Sequence, residues 1–119
     1  MSIWQTIFKE LEKNNVDVYP PGTKCGECKD KYVVVKQDGK AQARSFSSEF
    51  VYYLFLLYVP KNQYSEMDGY EEQVKAILDN ELYPTLMPVD STIPDYYDDE
   101  VKAHMRSFVY RNCVRNKHL

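Results

Sequence analysis

The sequence predicts an α+β fold: an antiparallel sheet of about four strands with two helices packed on it. Three observations carry that prediction. Residues 2–14 and 65–82 place apolar side chains at three- and four-residue spacing, which puts them on one face of a helix. Between these segments, YVVVK at 32–36 and EFVYYLFLLYV at 49–59 are dense in β-branched and aromatic residues, which fit a pleated, packed surface. Near the end, SFVYRNCV at 107–114 has the same character. A helix, a short meander of strands, a second helix and a late strand make helices segregated on one antiparallel sheet.

The first helix has a start signal. Ser2 can cap it, and Gln5 completes an S-x-x-Q box in which each residue satisfies the other's backbone N–H. Ile3, Trp4, Ile7, Phe8 and Leu11 form the apolar stripe; Lys9, Glu10, Glu12 and Lys13 fall mostly opposite, and Asn14-Asn15 ends the helix. Val16 to Tyr19 alternates like a short strand until Pro20-Pro21-Gly22 forces a turn. After the strand at 32–36, Asp38-Gly39 reads as a hairpin turn, because glycine supplies positive φ, and residues 40–46 should return antiparallel. Ser47-Ser48 gives a break or bulge.

Residues 49–59 lack strict alternation. That predicts a central strand covered on both faces, although a short buried helix would show the same pattern. Pro60 closes the run. The second helix buries Met67, Tyr70, Val74, Ile77 and Leu78; Ser65 with Asp68 can cap it, and Gly69 costs its first turn about 1 kcal/mol. Residues 83–99 hold Pro84, Pro88 and Pro94 and read as extended loop with one short strand at 85–89. In 101–115, Val101, Met105, Phe108 and Val109 fit a helix face, but β-propensity favours a strand from about 104 onward.

The chain has 119 residues, a length that fits a single domain spanning 1–119. Its net charge of -3 argues against nonspecific nucleic-acid binding by the whole surface. No basic region followed by an apolar core marks a signal peptide. The longest apolar run, 50–59, is shorter than the roughly 20 residues a membrane helix requires. A soluble chain made in the cytoplasm is the expectation, and three cysteines, an odd number, fit a reducing compartment. The 11 tyrosines suit strands and cores, and also half-buried subunit interfaces.

Chemistry has few footholds. Cys25-x-x-Cys28 supplies half a zinc site, whose other half would be Cys113 and His118, spaced C-x4-H. A redox pair would sit at a helix N-terminus, whereas this motif precedes a strand and has Glu27 between its thiols. A turn leading into the strand is the favoured reading. No G-x-S-x-G, H-E-x-x-H or phosphate-binding glycine loop occurs, so no catalytic residue, metal ligand or cofactor is expected. The acids Asp95, Asp98, Asp99 and Glu100 lack the EF-hand order and read as a solvated loop. Beyond them come Lys102, Arg106, Arg111, Arg115 and Lys117. Arg106 and Arg111 interleaved with Phe108 and Tyr110 could clamp nucleic acid. The favoured alternative makes Asp95, Asp98, Asp99 and Glu100 of one subunit meet Arg106 and Arg111 of the next, in a head-to-tail ring.

One stretch carries a resemblance. Tyr19-Pro20-Pro21-Gly22 leads to Gly26-Glu27-Cys28-Lys29 and then to Tyr32-Val33-Val34-Val35-Lys36. With the order of elements, this resembles the small tail-terminator, or tail-completion, proteins of long-tailed phages and phage-tail-like particles. Lys31 stands where that pattern commonly has proline, and Cys25 is outside it. The resemblance implies a structural protein without catalysis, a homo-oligomer expected to form a hexameric ring that caps the tail tube. Its partners would be the tail tube protein, with sheath and neck proteins as further neighbours. Membrane is not a partner, and nucleic acid enters only as DNA passing through the ring. The place would be the virion or tail particle, after assembly in the host cytoplasm. Another head–tail connector or neck component, or a small nucleic-acid module using the basic C-terminal segment, are the alternatives.

Overall fold

A computed structural model of the protein describes residues 2–42, 48–90 and 93–115. The fold is α+β, with two α-helices on a six-stranded mixed sheet. The elements in chain order are α1 (Ile3–Lys13), β1 (Val18–Tyr19), β2 (Tyr32–Gln42), β3 (Ser48–Pro60), a 3-10 segment (Lys61–Glu66), α2 (Met67–Glu81), β4 (Met87–Val89), β5 (Tyr96–Asp98) and β6 (Ala103–Arg115). The sheet order is β1-β2-β3-β6-β4, and β5 also pairs with β6. β1 runs parallel to β2 and every other pairing is antiparallel. The sheet thus has more strands than the four expected: the short strands read at 16–19 and 85–89 pair into it as β1 and β4, and the three-residue β5, which the sequence did not show, joins β6. Such short pairings leave little composition for a sequence reading to detect.

α1 forms as its sequence dictates. Ser2 Oγ accepts from the Gln5 N–H while Gln5 Oε1 accepts from the Ser2 N–H, closing the capping box. Asn15 takes a φ of 63° just past the C-cap Asn14 and turns the chain toward β1. Ile7 and Leu11 are fully buried, and Trp4 and Phe8 pack at the margin. The Trp4 indole Nε1 donates to the Val35 carbonyl at 3.0 Å, filling a position on the outer edge of β2 just beyond the end of β1.

Asp38-Gly39 is not a hairpin turn. β2 continues through it to Gln42, and the register moves from Gln37↔Tyr53 to Lys40↔Val51, three steps along β2 against two along β3. Gly39, at φ 109°, spends its positive φ on this bulge. The proposed return over 40–46 is likewise replaced by continuing strand up to Gln42; its remainder, with Ser47, lies outside the described residues, and Ser48 opens β3.

β3 is the central strand, between β2 and β6, but it is not covered equally on its two faces. Val51, Tyr53, Phe55, Leu57 and Val59 are buried under α1 and α2 with Val33, Val35, Phe108 and Tyr110. Phe55 stacks on Phe108 at 5.2 Å and meets Tyr110 edge-on at 5.6 Å. From α2, Met67, Tyr70, Val74 and Leu78 enter the same core. The expected Ser65 cap is absent, since the 3-10 segment runs straight into α2 and no side chain caps either start.

Among the described residues, the opposite face has only local cover. Cys28, Tyr32, Val34 and Ala103 form a small second cluster with Tyr19, Leu56, Tyr58 and Val101, closed by the loop that joins β1 to β2. The molecule is long, 51 × 27 × 24 Å. Its radius of gyration is 15.1 Å, against about 13.5 Å for a compact chain of this length. Pairing of β3 with β6 continues past the buried Val51 and Asn112 to Ser48 and Arg115.

Candidate functional site

The two charged groups singled out in the sequence separate into three places. Arg106 projects from β6 on the helix side, and its guanidinium meets three carboxylates of its own chain. Its Nε and Nη2 donate to Asp95 at 2.8 and 2.7 Å in a bidentate pair, and Nη1 donates to Asp68 at 2.6 Å and Glu71 at 3.1 Å. The planar fork matches a carboxylate in a way lysine does not. The Tyr64 hydroxyl also donates to Asp95. Hydrogen bonding from Arg106 leads the causes that hold the Asp95 carboxyl below its ordinary 3.8. Arg106 and Asp95 therefore find each other within one chain and tie the 83–99 region to α2 and β6.

Asp98, Asp99 and Glu100 form the second place, the turn between β5 and β6. Asp98 Oδ1 accepts from the Glu100 N–H at 3.0 Å, which shapes the turn. Asp99 and Glu100 are exposed. Beside them Tyr96 is 55% exposed.

The third place is Arg111, on the sheet face away from the helices. It lies opposite Tyr52, with its guanidinium 4.2 Å from the Phe50 ring centroid. Among the described residues no carboxylate forms an ion pair with Arg111. Asp98 pairs with Ala103, eight residues before Arg111 on the same strand. Eight extended residues span about 26 Å, well beyond a Debye length, so the acidic turn and Arg111 do not interact within one chain.

Around Arg111 the register assembles an apolar surface. Phe50, Tyr52 and Leu54 of β3 point to the same side as Lys36 of β2 and Val109 of β6. All are partly exposed, and no helix among the described residues lies on this side. β4 adds Met87 and Val89, opposite Arg111 and Val109. This face is the feature the sequence reading missed: it took the apolar run 49–59 as evidence of cover on both sides. The available signal was the mixture of Lys36 and Arg111 into otherwise apolar outward positions.

The cysteines do not converge. The Cys28 N–H donates to the Val101 carbonyl at 2.7 Å, which fixes it at the start of β6. Cys113 lies ten residues beyond Ala103 on that strand, about 33 Å away. The Cys25, Cys28, Cys113 set is therefore not brought together, and His118 lies outside the described residues. Cys28 is a packed thiol whose Sγ donates to the Asp30 carbonyl at 3.2 Å; burial, first, pushes its pKa up. Lys24 lies over the rings of Tyr19 and Tyr32 at 5.0 and 5.4 Å and closes the same loop. Among the described residues, no three His, Cys, Asp or Glu side chains gather as metal ligands.

The cleft between α2, β4 and β6 is lined by Glu71, Lys75, Pro88, Ile93, Arg106 and Phe108. Its arginine is already engaged by carboxylates, and Lys75 lies over the Phe108 ring at 4.9 Å. Among the described residues no helix is long and apolar enough to cross a membrane. No known family's sequence profile matches the chain, and no curated protein matches it.

Proposed function

We propose that this chain is a structural protein of a phage or phage-tail-like particle, the ring-forming tail terminator that caps the tail tube and joins it to the neck. One observation carries the reading: a half-exposed apolar sheet face bearing an arginine that has no carboxylate partner among the described residues, on a chain that also carries an exposed acidic turn at the far end of the same strand. Such a surface suits contact with another protein chain. Opposite charges at two ends of one subunit favour contacts in which each surface meets a different one on the neighbour, and such contacts make a ring where the rotation between neighbours closes. The motif behind the resemblance supports the same reading. Tyr19 and Tyr32 flank the β1–β2 loop edge-on at 5.7 Å, Cys28 packs beneath it, and Val33 to Val35 pair along β3.

In this reading the chain makes and breaks no bond. It works as a hexamer that matches the last ring of tube subunits on one side and offers the next tube subunit nothing to bind on the other. Tube, sheath and neck proteins are its partners, and it resides in the finished particle after assembly in the host cytoplasm. The basic segment is a poorer nucleic-acid clamp than its sequence suggested, because Arg106 is held by three carboxylates.

The test is tube elongation. Purified tube subunits are polymerised with and without the chain, and tube ends are imaged. Capping predicts shorter tubes with a ring of added density at one end. Unchanged tube lengths and bare ends would overturn the reading.

A further inference from the structure

We propose that the open sheet face around Phe50, Tyr52, Leu54, Val109 and Arg111 seats the acidic turn Asp98–Glu100 of a second copy of this chain. The inference rests on the ring reading and names the two surfaces that would meet.

Three observations point to this occupant. First, the face is already shaped as an anion-accepting aromatic surface. Arg111 lies over Phe50 at 4.2 Å and lacks a carboxylate among the described residues. Half-buried between Tyr52 and the β4 residue Met87, it is partly desolvated, so an incoming carboxylate would meet it at low cost in new desolvation. Tyrosine and arginine clustered on one patch are also the residues that most often dominate interface energetics.

Second, the face does not complement itself. Lys36 and Arg111 both lie on it, and Lys36 reaches Asp38 only at 3.9 Å. Two such faces stacked on a twofold axis would bring cations against cations, which disfavours a symmetric pair. With Asp38 already beside Lys36, an acidic surface from elsewhere complements Arg111 best.

Third, the chain carries such a surface. Asp99 and Glu100 are exposed, they protrude at a tight turn, and none of the described ion pairs uses them. The exposed Tyr96 beside them offers a ring to the apolar part of the face. Because turn and face sit about 26 Å apart along β6, their union is possible only between copies. Repetition of one such head-to-tail contact makes a closed ring or a filament, and no isolated dimer.

The experiment is sedimentation equilibrium on four samples: wild type, Arg111→Glu, the double variant Asp99→Lys with Glu100→Lys, and a 1:1 mixture of the two variants. Circular dichroism melting checks that each variant is folded. The expected result is that wild type associates and that each variant alone associates at least about tenfold more weakly, because like charges then face each other. In the mixture, the acidic turn of the Arg111→Glu chain meets an intact Arg111, and the lysine turn meets Glu at position 111. Association therefore returns, in species containing both variants equally. If wild-type association is unchanged in both variants, the proposed face is wrong while the ring reading stands. If folded variants are weakened but their mixture stays dissociated, or wild type does not associate, the pairing of turn with face is also overturned. The ring reading itself is judged separately, by tube capping.

Discussion

β3 offers its two faces for comparison, since both are built from the same few residue types. Val51, Tyr53, Phe55, Leu57 and Val59 are buried beneath two helices, whereas Tyr52, Leu54, Leu56 and Tyr58 alternate with them and stay partly exposed. The difference lies in what covers each face and hardly at all in hydropathy. Alternation of burial therefore exists in the structure where alternation of polarity is missing from the sequence. A strand apolar on both sides needs two covers, and the described residues provide one of them and part of another. The remaining cover is what the ring proposal supplies from a second copy.

The largest effect that would sharpen this contrast comes from truncating the two faces at neighbouring positions. Phe55→Ala should cost about 3–5 kcal/mol, because a fully buried ring stacked on Phe108 leaves a cavity. Leu54→Ala, in the unassociated chain, should cost only about 1 kcal/mol, since its side chain is partly in water already. Urea unfolding of both variants reads the difference. Equal losses would mean that the second face is covered within the chain.

The next effect concerns the charged groups on the covered side. Arg106→Ala should lose about 1–2 kcal/mol, since the pair with Asp95 is bidentate and networked with Glu71, while solvent screens the exposed Asp68. Arg106→Lys should recover only part of this loss, having no fork to match Asp95. Arg111→Ala, on the open face, should leave unfolding of the single chain within about 0.5 kcal/mol of wild type.

A smaller effect follows from pH. Asp95 has its carboxyl held below the ordinary 3.8, so it contributes stability at neutral pH. That contribution is lost as pH falls below about 4 and through the lower folded value, because the unfolded chain takes up the proton first. Asp95→Asn should therefore be less stable than wild type at pH 7 and should lose less on acidification. Thermal melts of both proteins between about pH 7 and pH 2 measure this, and parallel curves would contradict it. A local contrast follows from Trp4→Phe, which removes the indole donor to Val35 and should cost about 1 kcal/mol by the same melts.

Much of the frame was legible because its signals are local. The capping box of Ser2 and Gln5, the stripe of Met67, Tyr70, Val74 and Leu78, and the β-branched and aromatic runs each report on a few neighbouring residues. What escaped depends on partners far along the chain. Asp38-Gly39 has turn chemistry, yet the glycine's freedom serves a bulge equally well, and only pairing with Tyr53 and Val51 decides between them. β5 is three residues long and owes its existence to β6. Of the candidate site, the acidic and basic groups were visible as composition, but the division of Arg106 from Arg111 was not. Those arginines are five residues apart on a strand, so they point to opposite faces, one toward the carboxylates of α2 and one toward the open side.

The most direct measurement is the molar mass of the wild-type chain by light scattering, alone over a concentration series and then in mixtures with preformed tail tubes. Assembly through the open face predicts one closed species at six times the 14.1 kDa chain mass, both free in solution and at tube ends. A chain that remains at 14.1 kDa alone over the whole concentration series would contradict it.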